Sequence, residues 1–146
     1  MNIETPILLA SDHAGFKLKE VVKQHLESKG IEIVDLGADS EEASDYPDFG
    51  HKIGDLISKG AYGRGISVCG SGNGINMTVN KYGGVRGALC WNVEIAEMAR
   101  KHNNANICAL PSRFISIEEA IKVVDTFLDT GFDGGRHERR IEKIDL

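Results

Sequence analysis

No apolar run in this 146-residue chain approaches the length that crosses a bilayer, so a membrane span is not expected. Basic charge is scarce as well. Seventeen Lys and Arg against 22 Asp and Glu leave a net charge of -5, which argues against nucleic acid, because phosphate backbones require a basic surface. Cysteine is limited to Cys69, Cys90 and Cys108, an odd number, and the opening Met1–Pro6 is too polar and too short for a signal peptide. A disulfide scaffold is therefore not expected, and a reducing, cytoplasmic setting is. The histidines show no metal-ligand spacing, and the cysteines are too scattered for a zinc pattern, so no metal is expected. Repeats and low-complexity segments are absent too. Nucleotide fingerprints fail in the same way. Asp35 stands where a ribose-binding acid would be, but the first turn is Ser11-Asp12-His13-Ala14-Gly15 rather than G-x-G-x-x-G, and no Gly-Lys-Ser/Thr loop exists.

What the chain does contain is an alternation of short apolar runs and amphipathic segments. Ile7 to Ala10 has the unbroken apolar pattern of a strand buried on both faces. A helix follows to Lys29, with Leu18, Val21, Val22 and Leu26 on one face and Gly30 as its C′ residue. Ile31 to Leu36 forms a second strand, which makes a βαβ unit with parallel pairing and a right-handed crossover. From Asp35 to Asp48 the chain is acidic without a single Lys or Arg, the composition of a solvated loop. Within it Tyr46 precedes Pro47 and is expected to be extended. Phe49, Ile53, Leu56 and Ile57 mark a second helix, closed by Gly60.

Gly65 to Val68 forms a third strand, Val85 to Cys90 a fourth and Ile107 to Leu110 a fifth. Asn92 is a plausible N-cap for a helix running to about His102, and Ser116-x-x-Glu119 is a capping box for the helix after it. The order βαβαβαβαβα is that of a single α/β domain spanning residues 1–146, a doubly wound five-stranded parallel sheet of Rossmann-like three-layer form. Residues 131–146 read as a basic C-terminal arm rather than as core.

Ligands in such folds sit at the carboxyl ends of the strands. Those ends carry Asp12 and His13, Cys69 and Ser71, Cys90, and Arg113. After the third strand the chain breaks into Cys69-Gly70-Ser71-Gly72-Asn73-Gly74, a glycine loop that points several N–H groups at an anion. Cys69 is either the base beside that cradle or a buried structural thiol, whereas Cys90 and Cys108 read as core. Asp12 is a helix cap or a site acid, and His13 a site group or a turn residue held by backbone. His102, ending its helix where the dipole favours the imidazolium, is a proton donor or a plain C-terminal cap. Arg136 and Arg140 share one face if the arm is helical, which suits a phosphate or a solvated surface. His25 reads as solvated, and His51 has no evident role.

Together, Ser11-Asp12-His13-Ala14-Gly15, the Cys69–Gly74 loop, Asn80-Lys81, Arg100-Lys101-His102-Asn103-Asn104-Ala105-Asn106 and Gly134-Gly135-Arg136-His137-x-x-Arg140 resemble ribose-5-phosphate isomerase B. The likeness covers nearly the whole chain. It implies aldose–ketose isomerisation of ribose 5-phosphate and ribulose 5-phosphate, a pentose phosphate pathway step, through a cis-enediolate and without a metal or organic cofactor. By that resemblance Cys69 is the base, and the amides of Gly70, Ser71, Gly72, Asn73 and Gly74, with the Ser71 hydroxyl, hold the enediolate oxygen. His102 is the acid that opens the sugar ring, and Asp12 meets the substrate hydroxyls. His13, Arg113, Arg136 and Arg140 form the phosphate and substrate clamp, with Asn103 and Tyr46 as second contacts. The resemblance further implies a homodimer, or a dimer of such dimers, with each site shared between subunits.

Some members of that family lack the cysteine and use a carboxylate of the loop; here Cys69 is present and Ile75 follows Gly74, which favours the thiol. A sister branch acts on galactose 6-phosphate as a two-subunit enzyme and tends to lose parts of the cysteine, histidine and arginine set, which is intact here. Allose 6-phosphate or galactose 6-phosphate isomerisation, or a non-catalytic sugar-phosphate sensor built on the same loop, are the alternative readings.

Overall fold

A computed structural model describes residues 5–145. Five strands, β1 (Ile7–Ser11), β2 (Ile33–Asp35), β3 (Gly65–Cys69), β4 (Gly87–Leu89) and β5 (Ile107–Pro111), pair in parallel in the order β2-β1-β3-β5-β4. Helices α1 (Phe16–Ser28), α2 (Tyr46–Ser58), α3 (Asn73–Val79), α4 (Val93–Asn103) and α5 (Ile117–Asp129) cover both faces, and α6 (Arg136–Glu142) follows them. The doubly wound α/β sheet expected from the alternation is the one observed.

Period-two alternation along the central strands assigns the layers. Ile7 and Leu9 of β1 and Ile66 and Val68 of β3 pack with Leu18, Val22 and Leu26 of α1, Ala96 and Ala99 of α4, and Val124 and Phe127 of α5. Leu8 and Ala10 face the other way, against Ile53 and Ile57 of α2 and Val79 of α3. Cys90 and Cys108 are fully buried, and burial pushes the Cys108 thiol well above the ordinary thiol range, with Cys90 beside it adding to the effect.

Several boundaries differ from the sequence reading. The second strand is shorter because Ile31 belongs to the end of α1: its N–H donates to Leu26 O while Gly30, at φ +76, donates to Glu27 O. The fourth strand lacks Val85, whose N–H closes a turn onto Tyr82 O. Tyr46 is not extended. It opens α2, with Pro47 in the first turn where a missing N–H costs nothing, and Asp45 takes the extended conformation instead. The capping box forms only by half, since Ser116 Oγ accepts from Glu119 N–H but the Glu119 carboxylate accepts from Val93 N–H at the start of α4. His25 is not solvated either; its Nε2 meets Asp125 Oδ1 at 2.8 Å, tying α1 to α5.

Asp35, the discarded ribose acid, has a structural partner set. Lys19, a lysine with only 1% of its surface exposed, places Nζ 2.7 Å from Asp35 Oδ2, and Lys23 Nζ lies at 3.3 Å. The Gly37 N–H donates to the other oxygen at 2.9 Å. Burial alone would raise this carboxyl; the Lys19, Gly37 and Lys23 contacts outweigh it and hold it below the usual carboxylate range. Asp35→Asn removes the carboxylate charge from beside the buried Lys19 ammonium, leaving it Glu20 at 3.6 Å and the Phe16 ring at 5.4 Å. A loss of about 3 kcal/mol is expected in urea unfolding at neutral pH. A carboxyl depressed in the fold contributes stability above its unfolded pKa and loses it as pH falls through the folded one. The gap between wild type and variant should therefore close below about pH 4.

Candidate functional site

The carboxyl edge of the sheet is built around the end of β3. Cys69 is its last residue and is 4% exposed. Gly72, at φ +76, turns the chain into α3, and a Cβ there would lie 2.4 Å from Leu89 Cδ1, so only glycine fits. Ser71 Oγ accepts from the Asn73 N–H at 3.2 Å, and the Asn76 N–H returns to Gly72 O. The Asn73 amide is thus engaged inside the loop, while the N–H groups of Gly70, Ser71, Gly72 and Gly74 have no backbone partner among the described residues.

Three connections hold the neighbouring turns against this loop. Asp12, buried, donates its N–H to Val68 O and accepts from the Gly15 N–H through Oδ1, so it both closes the turn that leads into α1 and stands next to β3. A Cβ on Gly15 would sit 2.6 Å from Val68 O, which explains the glycine at that crossing. Ser112 donates its N–H to Cys69 O and its Oγ to Ala14 O, tying the ends of β1, β3 and β5. Arg113 donates its N–H to Gly70 O, and its Nη1 packs 3.2 Å from where a Gly70 Cβ would be. His13 is held through its N–H and Nδ1 by Ser44. The Tyr46 ring lies over Gly74, where a Cβ would come within 2.4 Å of it. Tyr46 and Gly74, with His51, Met77 and Lys81, line a crevice of about 310 Å³ between α2 and α3. His51, without a role in the sequence reading, bonds Tyr82 Oη through Nδ1 at 2.7 Å.

Cys69, Ser71, Asp12, His13, Tyr46, Gly70, Gly74 and Arg113 therefore share one edge. His102, Asn103, Arg136 and Arg140 do not. Helix α4 runs back along the sheet and ends beside the starts of the strands. There Arg86 Nε donates to the carbonyls of Asn103 and Asn104, and the Gly65 N–H donates to Asn106 O. Gly65 begins β3 and Cys69 ends it, so the two edges are roughly 13 Å apart at ~3.3 Å per residue. Asn103 opens onto a cavity of about 340 Å³ at that amino edge, lined also by Arg86, Gly87 and Ile144.

At the end of α4 the His102 ring stacks on His137 of α6, with centroids 4.3 Å apart and planes 12° from parallel. Desolvation, then His102, Arg136 and Arg140, hold the His137 imidazole below its ordinary range, against the opposing pull of Asp133. Arg136 and Arg140 are exposed on α6. Sequence reasoning missed Ser44, Ser112 and Asp133, which carry no motif of their own. His137 lies inside a quoted motif but had no assigned role.

The sequence pattern of the family described as Ribose/Galactose Isomerase matches residues 7–144. The probable ribose-5-phosphate isomerase B of Mycoplasma genitalium is 46% identical over 140 residues, covering 94% of this chain and 92% of that protein. Ribose-5-phosphate isomerase B of Escherichia coli is 37% identical over 138 residues, covering 94% and 93%. Among solved structures, ribose 5-phosphate isomerase of Thermotoga maritima superposes with a TM-score of 0.93 at 54% identity, covering 95% of this chain and 96% of that one. The Mycoplasma genitalium enzyme, solved with bound ribulose 5-phosphate, gives 0.91 at 45% identity, with 94% and 92% covered. With nearly its full length matched in sequence and in fold, this chain belongs to the ribose/galactose isomerase family.

Proposed function

We propose that the protein interconverts ribose 5-phosphate and ribulose 5-phosphate through a cis-enediolate, with Cys69 as the base. The observation that carries this reading is the Cys69–Gly74 loop: a thiol at the end of a central strand beside unspent backbone N–H groups. The Cys69 thiolate takes the C2 proton of the open-chain aldose as the C1 carbonyl oxygen becomes the enediolate oxygen; the proton of the C2 hydroxyl passes to O1, and the thiol returns its proton to C1 as the C2 carbonyl forms. The amides of Gly70, Ser71 and Gly72 meet the oxygen on which charge develops, where fixed donors are worth most. Asp12 and His13 hold substrate hydroxyls, with Tyr46 over Gly74 as a wall of the site. A thiol in this role suits a reducing, cytoplasmic setting.

His102 would donate the proton that opens the sugar ring, and Arg136 and Arg140 would bind the phosphate, with Asn103 beside them. All four lie at the amino edge of their own chain, so in this reading they serve the Cys69 loop of a second copy, in a homodimer whose two sites are each shared. Arg113 stays with the Cys69 loop.

Cys69→Ala is expected to lose at least about a hundredfold in kcat, the low end for removing a general base, while still binding ribose 5-phosphate in calorimetry. Turnover near wild type would remove Cys69 from the mechanism, and binding without turnover in the wild type would make the protein a sensor. The shared site has its own test. Cys69→Ala and His102→Ala proteins, each inactive alone, are unfolded, mixed in equal amounts and refolded. Half of the dimers are then hybrids holding one intact and one doubly damaged site, so about a quarter of wild-type activity should return. No recovery from a refolded mixture would place the whole site within one chain.

A further inference from the structure

The histidine spacing contains no metal motif, yet the fold collects one. Side-chain donor atoms of His102, Asp133 and His137 all lie within 4.8 Å of one another. They come from three separate pieces of chain: the last turn of α4, the segment after α5, and α6. The Asp133 N–H donates to Lys101 O at 3.0 Å, which fixes the carboxylate beside His102, and the His137 N–H closes onto Gly134 O. Neither imidazole has a hydrogen-bond partner among the described residues; the two rings meet by stacking.

We propose that His102, Asp133 and His137 form a three-ligand site for a divalent transition cation of the zinc class, and that its occupation switches off the isomerase. The second half rests on the proposed function, in which the His102 ring moves a proton; a metal on that ring nitrogen removes it from the reaction. Two imidazoles and a carboxylate are a donor set that zinc accepts, with a fourth position open to water or an anion. A tetrahedral shell with bonds near 2.0–2.1 Å has donors roughly 3.3 Å apart. The three donors close to that spacing through rotation of side-chain torsions, with the stacked rings splaying. The carboxylate and the negative end of α4 favour a cation here. Arg136 and Arg140 on α6 and Lys101 on α4 oppose it, and they favour an anion in the fourth position.

The purified full-length protein titrated with Co²⁺ is expected to take up one ion per chain, with the visible absorption of a nitrogen and oxygen shell. Uptake should weaken by at least about tenfold in Asp133→Asn, which keeps the backbone bond to Lys101, and likewise in His137→Gln. It should be unchanged in Cys69→Ala, which separates this site from capture by the thiolate. In the activity assay, Zn²⁺ should abolish turnover, a chelator should restore it, and Asp133→Asn should need about ten times more Zn²⁺ for half-inhibition, each variant being compared with its own metal-free rate. Co²⁺ uptake that is absent, unaffected by both Asp133→Asn and His137→Gln, or lost in Cys69→Ala overturns the site. Inhibition by Zn²⁺ that is equal in wild type and Asp133→Asn overturns the switch. Co²⁺ uptake needs no substrate, so a protein that binds the ion but isomerises nothing refutes the proposed function alone.

Discussion

In a parallel sheet each crossover helix runs against the strands it connects, and this one constraint divides the chemistry of the molecule. Whatever follows a strand lies at the carboxyl edge, and whatever ends a crossover helix lies at the amino edge. Cys69 and the glycine loop follow β3, while His102 ends α4 and is carried to the start of β5. The Arg86 bonds to Asn103 and Asn104 and the Gly65 bond to Asn106 lock that end in place. One chain therefore holds two half-sets of polar groups, one with a thiol and amide donors, the other with imidazoles and guanidiniums.

The half-set at the carboxyl edge is held by close packing more than by charge. Gly15 lets the first turn touch the Val68 carbonyl, Gly72 lets the loop pass Leu89, and Gly74 leaves room for the Tyr46 ring. Ser112 joins three strand ends with two hydrogen bonds. Such over-determination is what keeps donors aimed where charge develops, because an interior at crystal-like density has few alternative arrangements. Away from the site, the buried Lys19 with Asp35 anchors the edge strand β2 to α1.

Much of this was legible beforehand. Unbroken apolar runs at Ile7, Gly65 and Ile107 marked the central strands, because strands buried on both faces need no polar alternation. Asn92 and Gly30 terminated helices as their side chains and backbone preferences predict. Two misreadings share a cause: a local signal whose side chain found a distant partner. Glu119 left its own capping box for Val93, and His25 reached Asp125 across 100 residues. The placement of His102, Arg136 and Arg140 at the edge opposite Cys69 follows from helix direction, which the element order already contained. The meeting of Asp133 with two histidines had no sequence signal, since it depends on how α6 docks on α4.

In the proposed enzyme the two half-sets meet across two chains on a single sugar phosphate. A crystal structure of Cys69→Ala with ribulose 5-phosphate tests it directly. C1 and C2 are expected against residue 69 and the Gly70–Gly72 amides of one protomer, and the phosphate between Arg136 and Arg140 of its partner. A phosphate seated in the Gly70–Gly74 loop, or a sugar enclosed by one protomer alone, would contradict it.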